Sequence, residues 1–397
     1  SSEIITVSLV NPHTYKEEDS QLKQASLRLY QVALSCRALT GKIVPYDSEE
    51  SRDVSFEDQI LEMQYLEQPI FAVGHGASCS WTIDQDSDEV AVKVDYIPSA
   101  FVYRPKFDNV YVNGRDFEDS DIFSLSTLED EDASRDELLG RLSALVSFYE
   151  DWISSQDKLF KQRFEEPHKY LISQMLTCAK RMRRGLDLLA KDYDCWWAFQ
   201  RANEVMLRQR DQSDYLRSLR SDRIEKGLPW PIPASEQIPA TFRDFRLNKA
   251  RWRPFQLAFS LMVISDLETE TESHTDSDLV DLIWFSTGGG KTEAYMLVTA
   301  YELIRRRVRF GSKEKGLGTG VITRYTLRFL TADQFLRTVS LVCALEKVRI
   351  DNQRILGENS NSDAFTVGLF IGQDNSYGRI KEAEKAIKDL NKNPKNV

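Results

Sequence analysis

Apolar positions along the chain follow two rhythms, and the rhythm changes at identifiable places. From residue 136 the spacing is helical. Leu138, Leu142, Leu145, Val146, Tyr149, Trp152 and Ile153 recur at three- and four-residue steps, which puts them on one helix face. Tyr170 to Leu189 repeats the pattern, with Arg181, Arg183 and Arg184 on its polar side. Cys195 to Gln209 carries Trp196, Trp197, Phe199, Ala202 and Met206. Aromatics mixed with basic residues can stack on nucleic-acid bases, but at helical spacing they are read as core. Before residue 136 the signals are shorter. Ile4 to Val10 is strand-like, Leu22 to Leu39 is spaced as a helix, and 69–105 is β-rich, with Glu89 to Asp95 alternating in period 2. Gly74-His75-Gly76 predicts a tight turn, because no second His or Cys lies near. The run 116–136 is so acidic that an exposed linker or loop is expected. Gly227 to Pro239 holds four prolines in thirteen residues, which predicts an extended connector and a domain boundary.

Past that connector, Arg251 to Ile264 (RWRPFQLAFSLMVI) runs into an apolar helix, and Asp266 to Asp278 forms an acidic polar loop. Leu279 to Phe285 suits a buried parallel strand. Ser286 to Gly290 is a small-residue turn ending in three glycines. From Lys291 the apolar residues Ala294, Met296, Leu297, Ala300, Leu303 and Ile304 are helically spaced. Gly318 to Thr323 predicts a short strand, followed by Arg324 to Arg328 and a helix with Gln334, Phe335 and Leu341. Ala364 to Gly372 predicts another buried strand, and Lys381 to Leu390 a Lys/Glu-rich helix.

Strand, Gly-rich turn, GKT and helix make a phosphate-binding P-loop in its required context. Glycines let backbone N–H groups close around a polyphosphate, and the helix start adds the positive end of its dipole. The predicted cradle is Thr287, Gly288, Gly289, Gly290, Lys291, Thr292 and Glu293. Lys291 is placed to reach the β- and γ-phosphates of ATP, and the Thr292 hydroxyl to ligate Mg2+. Phe285 stands where the full pattern has its first glycine. Loops of the TGxGKT form, here Thr287 to Thr292, often lack it. In the upstream RPxQ element, Gln256 can donate and accept at once, matching an adenine edge, with Arg253 or Phe255 against the base.

The 397 residues suggest two or three domains. No run approaches the roughly 18 apolar residues of a membrane span, and the first residues lack the features of a secretory signal. Five scattered cysteines without a CxxC fit reduced thiols and a cytoplasmic location. Net charge is −10 but uneven: 29 Asp+Glu against 12 Lys+Arg in 1–150, and 33 against 40 in 151–397. The positive part is the part with the P-loop. This is either an electrostatic footprint for nucleic acid or two ordinary solvated faces. Residues 301–349 are more basic still, with 11 Lys+Arg against 4 Asp+Glu.

Taken together, WFSTGGGKTEAY, RWRPFQLAFSLM, TRYTLRFLTADQF, VGHGASCSW and AFQRANEVMLRQ resemble the large helicase-like subunit family of the bacterial DISARM anti-phage system, DrmA. The matches spread over roughly residues 70–390. The resemblance implies a superfamily 2 RecA-like motor on DNA, a companion subunit, DrmB, and defence against phage DNA. It implies that Arg324, Thr326 and Arg328 grip DNA phosphates and that a backbone N–H at Gly372 meets another. The expected fold is α/β: an incomplete first lobe of a RecA-like P-loop domain over 241–397. Ahead of it come an acidic N-terminal α+β region (1–135), a helical region (136–227) and a Pro-rich connector (228–240). No acidic DExx element follows Thr292, and a second lobe with its arginine finger is absent. The chain is therefore expected to be the front part of a larger motor, binding nucleotide weakly and turning over little alone. The alternatives are a DNA-binding scaffold that only senses nucleotide, and a P-loop ATPase or kinase acting on another substrate.

Overall fold

The structure, a computed structural model, describes residues 3–12, 20–26, 32–45, 55–65, 68–75, 77–84, 87–94, 111–112, 115–157, 164–228, 244–268, 280–284, 288–311, 316–325, 328–356, 363–370 and 380–392, with the isolated Lys16 and Arg28. The chain is α/β, mostly helical, with a small antiparallel sheet. It divides into two units, 1–106 with 153–175, and 107–152 with 176–397.

In the first unit lie α1 (Gln21–Ser26), β1 (Leu34–Arg37), α2 (Phe56–Gln64), β2 (Cys79–Ile83) and β3 (Val90–Val94). The central strand β3 pairs antiparallel with both neighbours, in the order β1-β3-β2. Val92 stands opposite Cys36 on one side and Trp81 on the other. Within the alternation read at 89–95, Val90–Val94 is a strand. The helix read over 22–39 does not run to its end: among the described residues 21–26 is helical, and 34–37 pairs into the sheet instead. Ile4 to Val10 has no strand partner among the described residues, and Ile4, Ile5 and Val10 are exposed.

In the second unit a short hairpin, β4 (Tyr111–Val112) and β5 (Arg115–Asp116), leads into a 3-10 turn at Ser120–Phe123 and α3 (Leu125–Glu129). The acidic run expected as an exposed linker is therefore folded. Ile122 and Leu128 are fully buried, with Phe123 and Leu125 nearly so. An apolar set inside the acidic run pulls it into the core, and the acids face outward or pair. Asp119, for example, holds Arg141 through both carboxylate oxygens at 2.7 Å.

The long helices α4 (Arg135–Asp157) and α5 (Glu165–Lys191) run across the division between units, and α6 (Tyr193–Glu225) lies wholly in the second. The helical spacing of their apolar residues is realised. Leu138, Leu142, Val146, Ala179, Met182, Leu189, Trp196, Phe199 and Ala202 are all buried. Asp192 caps α6 by accepting from the Cys195 N–H. Helix α6 is the axis of the unit. Against it pack α3, α8 (Lys291–Phe310) and α9 (Arg328–Asp351), while α7 (Pro254–Val263) packs on α8. Two short pieces follow, α10 (Gln353–Leu356) and α11 (Ile380–Lys392). The Pro-rich connector lies outside the described residues from 229 to 243.

The run read as a buried parallel strand (279–285), the short strand (318–323) and the buried strand (364–372) have no strand partner among the described residues. Residues 280–284, 319–325 and 364–370 belong to no sheet among the described residues. Val280, Leu282, Trp284, Ile322 and Phe370 are exposed, Trp284 to 88% and Phe370 fully. A strand persists only when a neighbouring strand takes up its N–H and C=O groups and something covers its faces; among the described residues no strand pairs with these runs, and side chains meet them only in part, as where Glu346 accepts from the Phe365 N–H. No described helix is long and apolar enough to cross a membrane.

Candidate phosphate-binding site at the start of α8

The fold brings the RPxQ element to the glycine loop. The strand-like segment before α7 is fixed first. Ser124 and Arg251 form an antiparallel bridge, Trp252 N–H donates to the Phe123 carbonyl at 2.7 Å, and the Trp252 indole N–H donates to Asn203 Oδ1 on α6 at 2.7 Å. Arg253 then caps α7, with Pro254 at its first position, where a missing N–H costs nothing.

Gln256 is nearly buried, 4% exposed. Its Oε1 accepts from the Arg253 N–H, and its Nε2 donates to the Gly290 carbonyl, both at 2.7 Å. The Arg253 guanidinium reaches the Gly288 carbonyl at 3.4 Å. Gly288 and Gly290 hold φ of +79° and +84°, a conformation that costs a side-chain-bearing residue about 1 kcal/mol or more. A Cβ on Gly290 would sit 2.6 Å from Gln256 Nε2. The triple glycine is thus used twice, for the left-handed turn and for the close approach of α7. Both ends of the Gln256 amide are engaged within the protein. Each end keeps one further capacity, a second N–H and a second lone pair, with which to meet a base.

Gly290 caps α8 with no side-chain hydrogen bond. Lys291 opens the helix and is half-buried. One turn in, Glu293 Oε1 accepts from the Arg337 guanidinium on α9, so the first-turn acid has a cation beside it. Thr292 Oγ1 accepts from the Tyr295 hydroxyl at 3.1 Å. The Tyr295 hydroxyl lies 2.8 Å from that of Tyr325, and Gln334 Oε1 lies 3.4 and 3.5 Å from the two phenols. Burial, with Tyr295 beside it, pushes the Tyr325 phenol above its ordinary range.

Behind the loop, Arg181 on α5 binds Asp281 with both terminal nitrogens and Asp266 with one. It ties together the two ends of the chain that flank 269–279. Arg305 on α8 does the same for Glu268 and the α6 cap Asp192.

The other expected site residues are scattered by comparison. Phe255 is half-buried at the start of α7 and Arg324 is exposed just before α9. Arg328 begins α9. Thr287, Thr326 and Gly372 lie outside the described residues. The pair Tyr295 and Tyr325 was missed from sequence. Tyr295 sits three residues past Thr292 on the same helix face, a spacing that signals contact. Tyr325 stands between two residues that were singled out.

No family model matches the chain. It is 27% identical to the DISARM protein DrmA of Bacillus paralicheniformis over an alignment of 409 residues, which covers 99% of this chain and 33% of that protein. The chain thus spans about a third of the length of the curated relative it matches. The alignment spans nearly the whole chain and is not confined to the glycine loop, so the chain is similar to DrmA throughout its length.

Proposed function

We propose that this chain carries the ATP-binding part of a DNA helicase or translocase subunit that works in DISARM anti-phage defence. The observation that carries the reading is the bond from Gln256 to the Gly290 carbonyl. It joins the RPxQ element to the glycine loop across 34 residues of sequence, an arrangement that a decorative turn does not need. The residues fit a nucleotide with its cation. Gly288 has nothing within 4 Å of where a Cβ would stand, and α8 begins on a glycine with no side-chain cap. Its first N–H groups and dipole are therefore suited to a phosphate. Lys291 would neutralise the β- and γ-phosphates, and Thr292 would offer its hydroxyl to Mg2+. Bound there, Mg-ATP would supply the phosphoryl-transfer energy that drives movement.

For the α8 loop to belong to a RecA-like lobe, 280–284, 319–325 and 364–370 must become strands of one parallel sheet. On this reading Arg324, Thr326, Arg328 and Gly372 contact DNA phosphates, and a DrmB-like subunit is the partner. Lys291→Ala in the complete protein should abolish ATPase activity and nucleotide binding with the fold intact by circular dichroism. Unchanged turnover in that variant would remove the site. DNA affinity should fall steeply between low and moderate salt, in proportion to the phosphates neutralised. Salt-insensitive binding, or none, would count against DNA as the substrate.

A further inference from the structure

We propose that the cleft between α3, the first turns of α4 and the 3-10 turn Phe245–Leu247 receives a ligand's guanidinium group, which takes the Glu129 carboxylate from Arg246 through two parallel hydrogen bonds. The cleft holds about 460 Å3 and opens to solvent. Among the described residues its wall carries four acids, Asp121, Glu129, Asp130 and Glu137, against two arginines, Arg141 and Arg246. Arg141 is already engaged. Both oxygens of Asp119 hold it at 2.7 Å, and that pairing keeps the Asp119 carboxyl below its usual range. An excess of acid attracts cations of any kind. What points to a particular ligand is the state of Glu129. The cleft shares no residue with the α8 loop, so it stands whether or not that loop holds nucleotide.

Glu129 ends α3 and is 1% exposed. Its main-chain carbonyl accepts from Arg201 on α6 at 2.8 Å, which fixes the residue in place. Its Oε1 accepts from Arg246 Nε at 3.1 Å. Its Oε2 is buried and has no hydrogen-bond partner among the described residues. Because Arg246 lines the same cleft, the carboxylate end of Glu129 lies at the cleft wall. A buried oxygen left unmatched is costly. Burial pushes the Glu129 carboxyl above its ordinary range; Arg246 draws it back, and the Glu204 carboxylate adds to the rise. Positive charge is therefore short at this carboxylate even with Arg246 in place. Arg246 holds it loosely. Its side chain is 55% exposed, against 2% for Glu129, and it meets one oxygen through Nε alone. A guanidinium arriving end-on offers a fork of two parallel N–H groups that matches both oxygens of one carboxylate. Arg246 then turns outward on its flexible stem toward the exposed Asp244, whose charge it already feels. An ammonium group cannot span both oxygens and is more strongly hydrated, so it fits less well. Asp121, Asp130 and Glu137 are exposed at the mouth and steer the cation inward. A free small guanidine and an arginine of another protein carry this same group.

The test titrates the full chain calorimetrically with N-acetyl-arginine amide. The citrulline counterpart, which has the same shape without the charge, and the lysine counterpart serve as comparisons. Wild type should bind the arginine probe saturably, and the citrulline probe about tenfold more weakly or not at all, for want of a charge-assisted bond. The lysine probe should fall between them. Glu129→Gln should weaken the arginine probe about tenfold or more, the worth of a hydrogen bond to a charged group. Arg246→Ala removes the resident competitor, so the probe should bind about threefold more tightly, the scale of a half-exposed ion pair. Should Glu129→Gln fail to fold by circular dichroism, Asp130→Asn and Glu137→Gln lie at the exposed mouth. Each should weaken the probe by about two- to threefold with the fold unchanged. Agmatine binding as well as the arginine amide assigns the site to a free small guanidine. The amide binding better assigns it to a chain-borne arginine, and either supports the receptor. No saturable binding of the arginine probe by wild type would overturn it. So would equal binding of the citrulline probe, weaker binding in Arg246→Ala, or unchanged binding across the acid variants that fold.

Discussion

Gln256 shows how one side chain's hydrogen-bonding capacity is readable from sequence while its partners within the fold are not. An amide that donates and accepts was expected at an adenine edge. Here the same two capacities close the α7 cap and hold the Gly290 carbonyl. The residue type and its nearness to the loop were legible, but not which acceptor it meets, because Gly290 lies 34 residues away. Gln256→Ala would leave a buried backbone donor and a carbonyl unpaired. It should destabilise the protein by about 1–3 kcal/mol and weaken nucleotide binding by loosening Gly290. Chemical denaturation and a nucleotide titration check both, and a variant as stable as wild type would show those bonds to be idle. Tyr295 and Tyr325 escaped a reading by motif for a similar reason: their hydroxyls meet across 30 residues, and the three-residue step from Thr292 to Tyr295 was the one local signal.

Helices were the legible elements. Where apolar residues recur at three and four steps over several turns, as in α4, α5 and α6, burial follows the pattern closely. Composition misled at 116–129, where Ile122, Phe123, Leu125 and Leu128 outweigh the acids around them. Pairing of strands was not legible at all, since a run such as 280–284 records its own suitability for a sheet but not whether a neighbour exists. The contact between α5 and α7 could not be read either. It passes over Gly185, whose missing Cβ would stand 2.0 Å from the Leu261 carbonyl oxygen. Alanine is about 1 kcal/mol the better helix former, yet the two backbones leave it no room. Gly185→Ala should therefore lower stability by about 1–3 kcal/mol through overpacking and displace α7 together with Gln256. A raised denaturation midpoint would contradict so close a crossing.

At the scale of the molecule, the second unit is held around α6, with Arg181 and Arg305 fastening the chain on either side of the acidic 269–279 stretch. Against that well-buried frame stand three apolar runs whose largest side chains are mostly exposed. If they are strands of a parallel sheet in the complete protein, amide hydrogens in 280–284 and 366–370 should exchange fast in this chain and slowly in the complete one. Equally fast exchange in both would rule out the sheet. In practical terms, Leu282, Trp284, Ile322 and Phe370 make the chain adhesive by itself. Unpaired backbone flanked by large apolar side chains seeds association between molecules. A sample of this chain should grow turbid as it is concentrated, and charged replacements at Trp284 and Phe370 should clear it.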